Sequence, residues 1–448
     1  MVPPGVGWIQ EGGAGAPVDP NAPVPLCWAS RVTGRHPNRG TLASESSRRL
    51  ALRVQHPYHL AISWALLLAL GKAQVLLGID VLKRAEFAPL ANQRVGLVTN
   101  HTGRDSNGTP TIDVLFAAKN LKLAALFSPE HGIRGARDEK VADSTDEKTG
   151  LPVWSLYGDV RKPKPEQLAA LDVLVFDIQD IGTRFYTYIS TLRNCLEAAA
   201  ERKIPLYVLD RPNPIDGVHV EGPVRDAAAD SFTATHTIPV RHGMTMGELA
   251  TLMVREKGLA TQLHVIGCQG WSRAQRFDAT GLEWKNPSPN MRSLTQALLY
   301  PGVGLLETTN LSVGRGTDTP FEVIGAPWLD GKALAKELRN YKLPGVTFVP
   351  IRFTPVASKH QGKECGGINL AITDWQSFEP VRTGIAVAIA LRQLHHEQWQ
   401  LEHFDKLLAH HATFAAVRDG KPLAEIVASW NGDLREFLTR REAALLYR

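Results

Sequence analysis

From Gln93 onward, short β-rich apolar runs alternate with helix-length stretches, and this rhythm constrains the fold more than any other feature. The runs Arg94–Thr99, Lys122–Phe127, Asp172–Ile178, Ile204–Leu209 and Leu263–Ile266 read as strands. Asp172–Ile178 is apolar almost throughout, as a strand covered on both faces must be. Between them, Thr109-Pro110 opens a helix towards Lys119, with proline at the first helical position, where no hydrogen bond is lost. Residues 185–202 form a long amphipathic helix, and residues 245–257 another, ended by Gly258. Alternation of this kind builds βαβ units, so the expected class is α/β with a mainly parallel sheet.

The rhythm breaks at Asn286-Pro287-Ser288-Pro289-Asn290, and a loop-rich stretch follows up to Trp328. Beyond it come a helix at 330–340, strands at 345–353 and 368–373, a helix at 380–397 and terminal helices to Tyr447. The expected organisation is a larger domain over 77–299 and a smaller α/β domain over 300–448, with a cleft near 286–328. Ahead of them, residues 1–58 are rich in Gly, Pro, Ala, Ser and Arg without apolar periodicity, the composition of a disordered extension. Residues 59–73 differ. The basic Arg48, Arg49 and Arg53 precede the apolar run Leu60–Leu70, and Gly71 and Ala73 stand at −3 and −1 of a cut after Ala73. That is the layout of a Sec signal peptide, too short for the ~20 apolar residues of a comfortable span. The expected location is therefore periplasmic or secreted, with no stable membrane insertion after cleavage.

Lys plus Arg number 50 against 45 Asp plus Glu, a formal charge of +5, and six of the Arg fall within residues 1–58. No folded part is basic enough for a nucleic-acid footprint. The four cysteines lie far apart, without zinc or redox spacing.

Each of the first four strands ends in a compact polar run. These are Asn100-His101-Thr102-Gly103, Ser128-Pro129-Glu130-His131-Gly132, the segment from Asp177 to Tyr188, and Asp210-Arg211-Pro212-Asn213, which leads on to Glu221. In an open parallel sheet the carboxyl ends of the strands share one edge, where ligands bind. Four such runs on one edge predict a site whatever its chemistry. Taken singly, several have an ordinary structural use. Asn and Thr cap helices, Asp177 and Asp210 can accept backbone N–H groups, and His131 can be a hydrogen-bonded loop imidazole. Glu130, held between Pro129 and His131, has no helix face to solvate it and no capping role. No strand is followed by a dinucleotide fingerprint, and neither a phosphate-binding P-loop nor a G-x-S-x-G elbow is present. Trp154, Tyr157, Phe185, Tyr186 and Tyr188 flank the acidic runs. Acids mixed with aromatics, Asn and Arg suit a neutral or weakly anionic polyol. A metal set of Asp177, Asp180, His131 and His101 is the competing reading, although no spacing signature supports it, and no cofactor is expected.

The segments Gly78–Leu82, Val98–Gly103, Phe127–Gly132, Phe176–Tyr188, Leu209–Pro214, Arg241–Thr245, Pro287–Met291 and Glu307–Thr317 together resemble the exo-β-N-acetylmuramidase (NamZ) family, in order from about Leu77 to the C-terminus. The resemblance implies a Rossmann-like N-terminal domain, a smaller C-terminal domain, and removal of N-acetylmuramic acid from the non-reducing end of peptidoglycan-derived muroglycans. Glycoside hydrolysis needs an acid on the leaving oxygen and a group to meet the oxocarbenium-like centre. Glu130 is the expected acid and His131 its orienting neighbour. Asp180 is the first expectation for the partner, with Asp177, Glu221 and Glu307 behind it. Tyr188 as nucleophile and the substrate's own acetamido group are further routes. The expected substrate contacts are Asn100, His101, Thr102, Asp177, Arg184, Arg211, Asn213, Glu221, His242, Asn310 and Arg315. Arg315, between Gly314 and Gly316, is the expected partner of the lactyl carboxylate. A non-catalytic wall-binding protein and a metal-dependent hydrolase are the rival functions.

Overall fold

The structure, a computed structural model, describes residues 74–130, 132–133 and 142–448. The N-terminal extension, the signal segment and His131 lie outside the described residues.

β1 (Arg94–Thr99) stands at the centre of a seven-stranded sheet. It is flanked on one side by β2 (Lys122–Ser128), with β3 (Ser144–Thr145) and β4 (Pro152–Ser155) beyond it, and on the other by β5 (Val173–Asp177). β6 (Leu206–Leu209) and β9 (Leu263–Ile266) extend that second side, giving the order β3-β4-β2-β1-β5-β6-β9. All neighbours pair in parallel except the edge pair β3–β4. The apolar run of β5 behaves as a doubly covered strand must. Val173 and Val175 enter one apolar cluster with Val95 and Leu97, while Leu174 and Phe176 enter another with Val98 and Phe127.

Helices pack on both faces. Tyr188–Arg202 follows β5, and Met246–Lys257 precedes β9. The latter starts on a reciprocal cap: Thr245 Oγ1 accepts from Glu248 N at 3.2 Å, and Glu248 Oε2 accepts from Thr245 N at 3.0 Å. Gly258 ends it at φ 60°. β7 (Glu221–Val224) and β8 (Pro239–Arg241) form a separate antiparallel pair. Further on, β10 (Val323–Ala326), β11 (Val346–Phe353) and β12 (Cys365–Ile372) make a three-stranded antiparallel sheet in the order β10-β12-β11, covered by the helix Gly331–Asn340.

The expected loop-rich stretch instead contains a helix, Leu294–Val303, and β10. Pro301 and Gly302 disguise that helix in the sequence. Ser293 caps it by accepting from Gln296 N, Pro301 falls in its last turn, and Gly302 has a packing reason. A Cβ on Gly302 would meet Pro380 O at 1.9 Å, so glycine lets this helix cross Pro380–Leu394 backbone to backbone. One apolar cluster then runs from Phe127 and Phe176 through Leu298 to Ile368 and Ile385.

Arg184, expected to contact substrate, is 1% exposed and serves the fold. Its Nη1 donates to Pro223 O and Ile238 O, and its Nη2 to Leu407 O and Leu408 O, at 2.5–3.1 Å. Burial pulls the guanidinium down to about 9, helped by the nearby Arg225 charge. A lysine keeps the charge but lacks the planar fork. Arg184→Lys is therefore expected to lower the unfolding free energy by about 1.5–3 kcal/mol, the cost of at least one lost charge-assisted bond, in urea denaturation followed by circular dichroism.

Candidate active site

A cavity of about 590 Å³ opens beside the carboxyl end of β2. Glu130, the second residue after β2, lines it half-buried, and Thr187 Oγ1 donates to Glu130 Oε2 at 2.6 Å. Thr187 immediately precedes the helix Tyr188–Arg202, so the helix start fixes the carboxylate. An aromatic floor lies alongside. Tyr186 packs edge-on to Tyr188 at 5.1 Å and to Tyr300 at 5.9 Å, and Tyr300 packs against Phe321 at 4.7 Å. The lining also carries a second carboxylate, Glu307, paired with Arg315 Nη1. Gly314 and Gly316 hold the Arg315 loop at φ 80° and 82°, and a Cβ on Gly316 would meet Ala357 O at 2.3 Å. The close approach these glycines permit is to the backbone of Ala357, which does not line the cavity.

The chain matches the family model "Exo-beta-N-acetylmuramidase NamZ, N-terminal" over residues 95–295 and "Exo-beta-N-acetylmuramidase NamZ, C-terminal" over residues 298–447. It belongs to the NamZ family. It is 44% identical over 382 residues to the peptidoglycan beta-N-acetylmuramidase NamZ of Bacillus subtilis (strain 168), covering 84% of this chain and 92% of that one. Two crystal structures of DUF1343-family proteins from Bacteroides fragilis NCTC 9343 share the fold. They superpose with TM-scores of 0.79 and 0.70 at 36% and 31% identity, each covering 84% of this chain and 99% of the other.

Within this NamZ-family cavity, Glu130, Tyr188, Glu307 and Arg315 are expected site residues that reach the lining, as do the expected aromatics Tyr157, Phe185 and Tyr186. Tyr188 does so as a phenol. Its hydroxyl donates to Pro287 O at 2.6 Å and accepts from Asn100 Nδ2 at 2.8 Å. Burial pushes its pKa well up, with the charges of Tyr186, Glu130 and Asp180 adding to it, so it keeps its proton and is a poor nucleophile. Asn100 thus stands one layer behind the cavity. His101 Nε2 donates to Asn286 O at 2.6 Å, holding the 286–288 segment.

Asp180, the first expectation for the partner acid, does not line the cavity. It is 6% exposed, its Oδ2 accepts from Gly182 N at 2.7 Å, and its Oδ1 has no partner among the described residues. Burial raises its pKa to about 7 against the pull of the Gly182 and Ile181 N–H groups. Asp177 is committed elsewhere as well. Its oxygens accept from Arg211 Nε at 2.5 Å, Arg211 Nη2 at 3.0 Å and Thr111 Oγ1 at 2.5 Å. Thr102 and Arg211 line a second, smaller cavity.

The remaining expected contacts are structural. Asn213 bridges Met244 O and Ile215 N. Glu221 accepts from Arg382 N at 2.6 Å, at the start of the helix Pro380–Leu394, and burial lifts it to about 7. His242 is fully buried, and desolvation, then Arg441, Arg184 and Arg241, push it down to about 3, so it is a neutral core imidazole. Asn310 clamps Gln398 O and Gln400 N. Asp177, one member of the rival metal set, is spent on Arg211, and among the described residues no three His, Cys, Asp or Glu side chains converge as ligands.

Thr187, Tyr300, Lys406 and Leu407 line the cavity without having been expected there. Thr187 lies inside a family segment and was legible in principle. Lys406 and Leu407 come from the far end of the chain and carry no local signal.

The raised Asp180 has a consequence for stability. Between the carboxyl pKa of an unfolded chain near ~4 and about 7 in the fold, the folded state holds a proton that the unfolded state has lost. Asp180 therefore contributes stability that is complete at low pH and is lost as pH rises to neutrality. Asp180→Asn is expected to remove a slope approaching ~1.4 kcal/mol per pH unit from the parent's pH 5–7 stability profile, read by denaturant melts across that range.

Proposed function

We propose that this chain is an exo-acting glycoside hydrolase that removes N-acetylmuramic acid from the non-reducing end of peptidoglycan fragments, in cell-wall turnover. The observation that carries the reading is one cavity whose lining brings together Glu130, the Glu307–Arg315 pair and the rings of Tyr186, Tyr188 and Tyr300. Family membership and the 44% identity to a peptidoglycan beta-N-acetylmuramidase support it. Glu130 acts as the acid. Thr187 occupies its Oε2, which leaves the other oxygen to carry the proton to the leaving oxygen of the aglycone. Glu307 replaces Asp180 as the carboxylate that meets the oxocarbenium-like centre, because it faces the cavity and Asp180 does not. The tyrosine rings take the sugar's apolar face. Arg315 has a dual duty. It holds Glu307, and its guanidinium at the cavity lining binds the lactyl carboxylate that distinguishes muramic acid from glucosamine.

The enzyme works outside the cytoplasm, after export through the basic and apolar leader around residues 48–73. The sequence of that leader supports this location.

Release of para-nitrophenol from para-nitrophenyl β-N-acetylmuramide, with and without EDTA, separates the rival functions. Release that survives EDTA is expected. Loss with the chelator would favour the metal-dependent hydrolase, and no release of any muramic-acid product would favour a wall-binding protein. In the same assay Glu130→Gln is expected to lower kcat by ~10²–10⁴ while sugar binding persists. Turnover within a factor of a few of the parent would remove Glu130 from the acid role. Arg315→Ala is expected to lower kcat/KM on both a muramide and a glucosaminide, through Glu307. The muramide should lose a further ~10- to 150-fold, the worth of the charge-assisted lactyl contact. Equal losses would reduce Arg315 to a support for Glu307.

A further inference from the structure

A second cavity, of about 130 Å³, lies outside the carboxyl ends of β1, β5 and β6, lined by Thr102 and Arg104, Gln179, and Arg211 respectively. It occupies the topological switch point of the sheet: from β1 the chain runs outward to β2 on one side and to β5 on the other. Open parallel sheets bind ligands at that crevice. The active-site reading uses none of its lining.

Its polar groups leave specific capacity unspent. Arg211 is 5% exposed, and its Nε and Nη2 are committed to Asp177 and to Arg104 O, whereas its Nη1 takes no partner among the described residues. Arg104 donates through Nε to His101 O and through Nη1 to Gly108 O, so among the described residues its guanidinium has only backbone partners and no carboxylate. Gln179 Nε2 is bound to Asp180 O and Pro212 O, and among the described residues its side-chain oxygen accepts nothing. Phe277, Leu282 and Leu77 supply an apolar wall, and Asn107 and Lys285 stand at the rim. The lining acids are already matched, Asp105 by Lys83 and Glu283 by Lys285.

We propose that this cavity is a binding site for a short-chain carboxylate. Two guanidinium groups with unspent donors suit a planar carboxylate, and the apolar wall suits a short carbon stem. At about 130 Å³ the space is slightly smaller than the ~150 Å³ engineered cavity that holds one benzene ring, so it suits an acid of about three to five heavy atoms and is too small for a sugar pair. The site is separate from the catalytic cavity but shares a wall with it. Thr102 Oγ1 donates to Asn100 Oδ1, and Asn100 Nδ2 donates to the Tyr188 hydroxyl on the other side. Lys285 at the small cavity is also three residues from Ser288 at the large one, so one loop walls both.

The test is a ligand-observed NMR titration of the full chain with propionate, with 1-propanol and inorganic phosphate as comparison probes and no glycan present. Saturable propionate binding with a Kd of order 1 mM is expected, given so few ligand atoms. Propanol should bind far more weakly, for want of the charge, and phosphate more weakly, for want of the stem. Asn107→Asp and Lys285→Glu each place a new negative charge at the rim on side chains that are not buried, so the fold survives. Each should weaken propionate about tenfold, by like-charge repulsion of the bound carboxylate. Arg315→Ala should leave the titration unchanged. The proposal is overturned by non-saturable binding, by phosphate binding tighter than propionate, by unaltered affinity in both rim variants, or by loss of binding in Arg315→Ala, which would put the propionate in the catalytic cavity. None of these outcomes depends on glycosidase activity.

Discussion

The buried Arg184 guanidinium organises the larger cavity without entering it. Its donors reach carbonyls of β7, of the residue before β8, and of Leu407 and Leu408 near the end of the chain. Its own segment continues through Phe185, Tyr186 and Thr187, all of which line the cavity. One side chain therefore draws a C-terminal segment onto the loop after β5 and sets that loop's position. A charge this deep is tolerated because both terminal nitrogens of the guanidinium donate to oriented backbone oxygens, which also have no water to turn to. The same geometry brings Lys406 and Leu407 to the cavity rim.

Around that anchor, burial sorts the acids. Asp177 pairs with Arg211 inside the sheet edge, Asp180 and Glu221 are raised towards neutrality by desolvation, and Asp210 is raised to about 6 for the same leading reason. These carboxylates cap, clamp and brace. Glu130 and Glu307 remain in the open cavity, one held by a hydroxyl and the other by a guanidinium. The division follows solvent access. A carboxylate that trades protons with a substrate must face the substrate, and a carboxylate that holds loops must be spent on them.

The sheet edge carries two cavities because the four polar runs do not converge on one point. The runs after β1, β5 and β6 enclose the smaller cavity, while the run after β2 and the later part of the run after β5 serve the larger. The run after β5 is long enough to reach both, with Gln179 at one and Thr187 at the other. The Asn100–Tyr188 bond is the partition.

The sequence by itself determined the α/β class, five strands of the main sheet, the helices that cross it, and the edge on which polar residues gather. Those properties are local or periodic: apolar runs, caps such as Thr245 with Glu248, and a stop such as Gly258 are written in neighbouring residues. Glu130 and Arg315, which stand in family segments, both line the larger cavity. The tertiary structure alone decided which polar residue faces a cavity and which is spent in the interior. Arg184 and Arg315 are both loop arginines in family segments, and Asp180 and Glu307 are both loop acids. What separates them is desolvation and partner geometry, set by chain segments as distant as 184 and 408, and no window of sequence contains both ends of such a contact. The helix Leu294–Val303 was hidden for a related reason. Its Pro301 and Gly302 read as breakers until the crossing helix Pro380–Leu394 supplies the close contact that requires the glycine.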